Sequence, residues 1–170
     1  MKTDIMGITF DNVTMQQALE RAGEILAGDK TCYAVTPNAE IAYEALRDES
    51  LRALLNEADL VLPDGAGVVL ASKILKTPLQ QKVAGVDFAD GLLGMLAQNG
   101  KSVYLLGSKP GIAELAAEKM REKHPGLTIC GMHDGYFKDD APVIAAINEA
   151  KPDVLFVCLG APKQELFMKR

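Results

Sequence analysis

The 170-residue sequence predicts an α/β fold of the Rossmann-like, doubly wound kind, with a mostly parallel sheet and helices on both of its faces. Two observations predict it. The strand-like runs are apolar at nearly every position, as in "DVLFVCLG" at 153–160, which is typical of strands buried on both faces. Helical patterns separate these runs, as connections between parallel strands require. We expect residues 1–170 to form a single domain.

The predicted strands are short apolar runs bounded by turn-forming residues or by the helical patterns. In chain order they are 6–10, 31–35, 59–62, 101–107, 127–133 and 153–160.

The predicted helices carry start and stop signals. Asp11 or Thr14 is available as the first N-cap, Gly28 and Gly100 are stop signals, and Pro142 stands in a first turn, where proline is tolerated. The helices are 11–28, 38–58 in two pieces, 65–75, 86–100, 110–124, 139–151 and one that begins at 163. Because that last helix has barely begun at residue 170, we expect a C-terminal tail to be missing.

Composition argues against several classes of protein. A net charge of −5, 5% aromatic residues and no Trp disfavour a nucleic-acid partner, which needs a basic face or stacking surface. Cys32, Cys130 and Cys158 lie singly in apolar runs, so we expect buried, reduced thiols. No secretory signal and no membrane-spanning run is visible, which predicts a cytoplasmic protein and still permits attachment to a membrane surface.

Polar residues, glycines and prolines follow five of the predicted strands. They are Thr36-Pro37-Asn38, Pro63-Asp64-Gly65, Ser108-Lys109-Pro110-Gly111, Asp134-Gly135-Tyr136-Phe137 and Ala161-Pro162-Lys163-Gln164-Glu165. Ligands of an open parallel sheet bind in the crevice outside these carboxyl ends, so the pattern predicts a binding crevice there.

Asp64 is the best candidate for a general base, because Pro63 and Gly65 would hold it in a fixed bend at a strand end. A plain turn remains an alternative at each of these stretches. "GSKPG" suits either a phosphate site at a helix N-terminus or a turn. The sequence contains no Asp-x-Asp, no GxSxG, no GxGxxG after its first strand and no metal-ligand spacing.

Six stretches, "TPNAE", "LPDGAGVV", "VAGVDF", "LLGSKPG", "DGYF" and "GAPKQE", occur in this order. From about residue 6 to the end, the chain resembles the WecG/TagA/CpsF family of glycosyltransferases. The resemblance implies an inverting transfer of N-acetylmannosamine from its UDP conjugate, forming a β-1,4 bond to N-acetylglucosamine on undecaprenyl diphosphate, in wall teichoic acid synthesis. It also implies that no metal cofactor is bound.

The resemblance also implies roles for individual residues. Asp64 would deprotonate the acceptor's 4-hydroxyl. The implied substrate-binding residues are Thr36, Asn38, Lys82, Asp87, Gln164 and Glu165, and the implied nucleotide-binding residues are Gly107, Ser108, Gly111, Gly135 and Tyr136. Lys82 stands where many members have Arg, so a two-pronged contact with phosphate is not expected there.

The partners implied are a UDP-sugar donor, a lipid-linked acceptor and the inner face of the cytoplasmic membrane, reached through the missing tail. Without that tail we expect residues 1–170 to be nearly inactive, and an apolar face left exposed suggests self-association. Three alternatives remain open at this stage: another UDP-sugar donor, a non-catalytic nucleotide-binding module, and a dinucleotide-dependent dehydrogenase.

Overall fold

The computed structural model describes residues 2–170, and their contacts divide into two compact units. The first unit runs to Asp90 and includes Met168–Arg170, and the second unit is Gly91–Phe167. The fold class is mixed α/β with parallel strands and intervening helices, as predicted. No helix within the described residues is long and apolar enough to cross a membrane.

The first unit opens with an antiparallel hairpin and continues with a parallel strand pair. Its elements are β1 (Lys2–Ile5), β2 (Ile8–Asp11), α1 (Met15–Leu26), β3 (Ala34–Val35), α2 (Ala39–Ala45), α3 (Glu49–Glu57), β4 (Leu60–Val61) and α4 (Ala66–Ile74). Val35 of β3 pairs with Val61 of β4, and Leu62 extends this ladder by donating its N–H to the Val35 carbonyl oxygen over 2.8 Å.

The hairpin corrects the prediction of one strand at 6–10. Met6 and Gly7 both have positive φ angles, 59° and 82°, which is the geometry of a tight two-residue turn. Asp11, one of the two expected N-caps, instead ends β2. Thr14 caps α1, and its side chain forms a reciprocal capping box with Gln17.

Asp11 is buried, and its charge is compensated. Its carboxylate accepts hydrogen bonds from Arg21 Nη1 at 3.1 Å and from the Val61 N–H at 2.9 Å. A buried carboxylate is tolerated when it is paired and hydrogen-bonded, so this one ties α1 and β4 to the hairpin. The core around it consists of apolar residues from every layer of the unit, among them Ile5, Ile8, Phe10, Val35, Leu55, Val61 and Val68.

The second unit is a three-stranded parallel sheet in the order β6-β5-β7. Its strands are β5 (Ser102–Gly107), β6 (Thr128–His133) and β7 (Val154–Cys158). α5 (Gly85–Gln98) precedes β5. One helix then follows each strand: α6 (Ile112–Lys123) follows β5, α7 (Asp140–Ala150) follows β6, and α8 (Lys163–Met168) follows β7. The central strand β5 is buried from Val103 to Gly107, as its unbroken apolar run predicts.

The cysteines are less buried than expected. All three are free thiols, but Cys32 and Cys130 are half-buried and Cys158 is exposed. Cys158 is the last residue of β7, and an apolar run gives no sign of which end of a strand emerges from the core. The reduced state was predicted correctly, and the burial of Cys158 was not.

Candidate functional site

Most of the predicted site residues fall into two clusters, each at the carboxyl ends of parallel strands within one unit. In the first unit, Thr36 and Asn38 follow β3, and Asp64 follows β4. The in-register pairing of these two short strands brings the three residues together. The Asp64 N–H donates to the Pro37 carbonyl oxygen over 3.4 Å, so the two strand exits are joined directly.

The carboxylate of Asp64 is half-buried and is held by one backbone donor. Its Oδ2 accepts a hydrogen bond from the Gly85 N–H at 3.1 Å, and Oδ1 makes none to the described residues. Gly65 follows at φ +85° as the N-cap of α4, a conformation that favours glycine. One carboxylate oxygen is therefore fixed, and the other is free to accept a proton.

The segment that supplies this donor is itself anchored. The Val83 N–H donates to the Pro63 carbonyl oxygen over 2.9 Å, so residues 83–85 are tied to both Pro63 and Asp64. Gly85 also lies against Thr36, because a Cβ atom at residue 85 would stand only 2.8 Å from Thr36 Oγ1. Thr36, Asp64 and Gly85 are thus packed as one group.

Asn38 is also part of this cluster. Its Oδ1 accepts hydrogen bonds from the N–H groups of Glu40 and Ile41, both at 3.0 Å, and so caps α2. A Cβ atom at Gly65 would lie 3.8 Å from Asn38 Cβ, which places Asn38 beside the bend that carries Asp64. Since the cap uses Oδ1, the amide nitrogen of Asn38 is the group left for a ligand.

Lys82 and Asp87 lie at the exposed margin of the same region. Both side chains are exposed, and neither makes a hydrogen bond or ion pair within the described chain. The structure does not bring either of them into the Asp64 cluster, so their substrate-binding roles stay predictions.

The second cluster surrounds a cavity of about 230 Å³ at the carboxyl ends of all three strands of the second unit. We call it the sheet-end cavity, and its lining residues are Ser108, Lys109, Gly135, Tyr136, Cys158 and Leu159. Three of the predicted nucleotide-binding residues, Ser108, Gly135 and Tyr136, lie in this lining.

Two of the predicted glycines shape the cavity by close approach of main chains. A Cβ atom at Gly107 would lie 2.2 Å from the Cys158 carbonyl oxygen, and Gly107 has φ +135°. The Gly135 N–H donates to the Ser108 carbonyl oxygen over 2.8 Å. Gly111 does not line the cavity. It caps the N-terminus of α6 at φ +84°, with open space around it.

The chemical character of the cavity comes from three exposed groups. Lys109 supplies a positive charge, Ser108 a hydroxyl, and Tyr136 a ring in a residue that is 70% exposed. The Tyr136 N–H donates to Asp134 Oδ1 over 2.7 Å, which fixes the turn that carries the ring. A cation with an exposed aromatic face suits a phosphorylated ligand that carries a flat base.

Sequence reasoning assigned no role to Cys158 or Leu159, although both line the cavity. Their position at the carboxyl end of the most apolar strand was the available signal. Cys158 is exposed as a residue, but protein atoms surround part of its side chain, and this desolvation raises the pKa of the Cys158 thiol. A thiol with a raised pKa is a poor nucleophile.

Gln164 and Glu165 form a separate pair in the second unit. Gln164 Oε1 accepts from the Gly160 N–H at 3.2 Å, and Gln164 Nε2 donates to Glu165 Oε1 at 3.0 Å. Glu165 is only 2% exposed, and its Oε2 has no hydrogen-bond partner in the described chain. A buried side-chain oxygen without a hydrogen-bond partner is energetically unfavourable, so an atom such as Glu165 Oε2 is unusual in a folded protein.

Comparison with known proteins identifies relatives over nearly the whole chain. A family model described as "Glycosyl transferase WecG/TagA/CpsF family" matches residues 3–170. A protein of Bacillus spizizenii named N-acetylglucosaminyldiphosphoundecaprenol N-acetyl-beta-D-mannosaminyltransferase is 39% identical over 142 residues, 84% of this chain and 55% of the relative. A protein of the same name from Staphylococcus aureus is 35% identical over 166 residues, 96% of this chain and 65% of the relative. The chain therefore spans between half and two thirds of the length of these relatives.

Proposed function

The chain belongs to the WecG/TagA/CpsF family of glycosyl transferases, and we propose that it transfers N-acetylmannosamine from UDP-N-acetylmannosamine to N-acetylglucosaminyl diphosphoundecaprenol. The relatives' names supply the transferred sugar and the acceptor. The donor, the β-1,4 linkage with inversion and a place in wall teichoic acid synthesis are parts of the proposal.

The observation that carries the proposal is the placement of Asp64. Its Oδ2 is fixed by the Gly85 N–H, and none of residues 2–170 donates a hydrogen bond to its Oδ1, which lies just after β4. In the proposed reaction, Oδ1 takes the proton of the acceptor's 4-hydroxyl as that oxygen attacks the anomeric carbon of the donor. The new carbon–oxygen bond forms as the bond to UDP breaks, and UDP leaves with the bonding electrons.

Thr36 and Asn38 are proposed to position the reacting sugar, because both lie within the Asp64 cluster. Lys82, Asp87, Gln164 and Glu165 are proposed as further substrate-binding residues. We propose that the sheet-end cavity holds the nucleotide, with Tyr136 against the base and Lys109 near the diphosphate. Gly107 and Gly135 would allow the main chain around the cavity to approach the nucleotide, and Gly111, at the N-terminus of α6, is proposed as a further nucleotide-binding residue.

The chemistry is proposed to need no bound metal, since the sequence lacks the Asp-x-Asp that usually accompanies a metal-bound nucleotide sugar. Charge developing on the leaving diphosphate then requires cationic side chains or oriented donors. The doubly wound, Rossmann-like arrangement and a location on the inner face of the cytoplasmic membrane also belong to the proposal, since the acceptor is a membrane lipid.

The test is UDP release by the natural protein that contains this sequence. UDP-N-acetylmannosamine is supplied with and without a short-tailed N-acetylglucosamine diphosphate lipid, and UDP-N-acetylglucosamine and UDP-glucose serve as donor controls. Release that depends on the acceptor and is fastest with UDP-N-acetylmannosamine supports the proposal. Faster release from a control donor would replace the donor assignment. No release from any UDP-sugar would contradict the enzymatic function.

A further inference from the structure

α4 presents an apolar face to solvent. Leu70 and Ile74 lie one helical turn apart and are 59% and 72% exposed, and Leu75, directly after the helix, is 51% exposed. The opposite face of the helix carries the buried Val68 and Ser72. A surface helix normally turns polar side chains outward, so three neighbouring exposed aliphatic residues mark an interaction surface.

Hydrogen bonds hold α4 and the loop after it in place, so the fold itself keeps this apolar face exposed. Ser72 Oγ donates to the Val69 carbonyl oxygen at 2.7 Å and accepts from the Leu79 N–H at 3.1 Å. The side chain of Asn12 holds the following loop through the Pro78 carbonyl oxygen and the Gln80 N–H. The aliphatic side chains are therefore displayed on a supported helix and turn.

The charged residues of α4 and of the loop that follows it have one sign. Residues 66–82 contain Lys73, Lys76 and Lys82 and no Asp or Glu, although the whole chain carries a net charge of −5. All three lysines are exposed. An exposed segment that carries lysines and aliphatic side chains complements a bilayer surface, where anionic groups lie above hydrocarbon.

The position of α4 links this face to the proposed chemistry. The helix begins at Ala66, two residues after Asp64, and is nine residues long. At about 1.5 Å per residue it extends roughly 13 Å from the bend that carries Asp64. A membrane surface in contact with α4 would therefore lie close to Asp64, the proposed base for a lipid-linked acceptor.

We propose that Leu70, Lys73, Ile74, Leu75 and Lys76, which we call the α4 patch, dock this protein on an anionic phospholipid bilayer. The aliphatic side chains enter the interfacial region, and the lysines pair with lipid phosphates. The inference rests on the proposed function only in that the acceptor is a membrane lipid. Binding of the patch to lipid is a separate property from catalysis at Asp64.

Vesicle co-sedimentation tests the proposal on the natural protein that contains this sequence. Vesicles of equal parts phosphatidylglycerol and phosphatidylcholine are compared with vesicles of phosphatidylcholine alone. We expect Leu70→Ser/Ile74→Ser to weaken binding to the anionic vesicles by at least tenfold. Lys73→Gln/Lys76→Gln should weaken it by about fivefold per lysine and reduce its dependence on salt. Matched controls are Leu115→Ser and Lys138→Gln, which alter exposed residues of the second unit.

Turnover separates this proposal from the proposed function. The patch variants should keep wild-type UDP release with a water-soluble, short-tailed acceptor and lose it with the long-chain acceptor in vesicles. Vesicle binding that is unchanged in both double variants, or absent in the wild-type protein, would overturn the docking role whether or not the enzyme is active. If sedimentation velocity shows wild-type dimers that the patch variants lose while vesicle binding persists, the patch contacts a second copy and the proposal is wrong.

Discussion

Gly85 determines the local geometry of the proposed base. Its N–H is the donor to Asp64 Oδ2, and its missing side chain leaves the space that Thr36 occupies. A methyl group there would stand 2.8 Å from Thr36 Oγ1 and 3.2 Å from Thr36 Cβ. Thr36 and residue 85 cannot both keep their places if residue 85 gains a Cβ atom.

We predict that Gly85→Ala lowers turnover at least tenfold and destabilises the fold by about 1–3 kcal/mol, because the main chain must move away from Thr36 and Asp64. Turnover is measured as UDP release, and stability by urea denaturation. Gly94→Ala is the control in the same helix, since a Cβ atom there meets only the His124 ring at 3.6 Å. Equal turnover in the two variants would contradict this account of Gly85.

At the residue scale, strand-end polarity was enough to predict Thr36, Asn38 and Asp64 as neighbours. The donor to Asp64 was not predictable, because it is a backbone N–H that every residue type except proline would carry at position 85. Cys158 and Leu159 were missed for a related reason. They line the sheet-end cavity because β7 ends there, and their residue types do not indicate a binding site.

At the element scale, the main chains of β5 and β7 lie in close contact where Gly107 meets Cys158. The Gly107 φ of +135° is accessible to glycine and strained for other residues, and the Cys158 carbonyl oxygen fills the space of a Cβ atom. This contact sets the spacing of the strand ends that line the sheet-end cavity.

Gly107→Ala should therefore destabilise the protein by about 3 kcal/mol or more and abolish binding of the proposed nucleotide in the sheet-end cavity. Gly100→Ala is the matched control: its φ is +64°, also positive, but no atom lies within 4 Å of the added Cβ, so a loss of about 1 kcal/mol is expected. The urea midpoints of the two variants measure these losses of stability. Similar losses would mean that φ alone, and not the close approach to β7, makes Gly107 necessary.

The amino ends of the same two strands are joined by Asp153. Its carboxylate accepts from Lys101 Nζ and from the Ser102 N–H, both at 2.8 Å, and these bonds lower its pKa to about 2. Because the pKa of Asp153 is lower in the folded state, its ionised carboxylate stabilises the fold at pH values above the ordinary carboxyl pKa. That stability is lost as the pH falls from about 4 towards 2.

We predict that Asp153→Asn lowers the free energy of unfolding by about 1 kcal/mol at pH 7, a value reduced for solvent screening because the side chain is about a third exposed. The difference from wild type should shrink as the pH falls through 4 to 2, and also in 1 M salt. Urea titrations across pH measure it, with the exposed Asp29→Asn as a control. A difference that does not change with pH would exclude the charge as its cause.

Element types were largely predictable, and their lengths were not. Apolar runs and caps predicted every helix, including the division of 38–58, where Asp48 caps α3. β3 and β4 have two residues each instead of the predicted five and four. The hairpin was missed because β1 contains Lys2 and Asp4, which are poor strand formers, and because Met6 is not a typical turn residue.

At the scale of the whole molecule, each unit contributes a cluster at the carboxyl ends of its own parallel strands. The first offers a fixed carboxylate with one open oxygen, and the second offers a cavity with a cation and an exposed aromatic ring. In the proposed function, the first cluster would supply the base and the second would hold the nucleotide. Both clusters arise from polar residues and glycines at the carboxyl ends of parallel strands.

The most direct test of this account is acceptor-dependent UDP release by Asp64→Asn in the natural protein. Asn keeps the size of the side chain and can still accept from the Gly85 N–H, but it cannot take up a proton. The account predicts a loss of turnover of about 10²–10⁴-fold, with donor affinity and the urea midpoint close to wild type. Turnover within a few-fold of wild type would contradict the assignment of Asp64 as the base and move that role to another carboxylate, with Asp87, Asp134 and Glu165 as the next candidates.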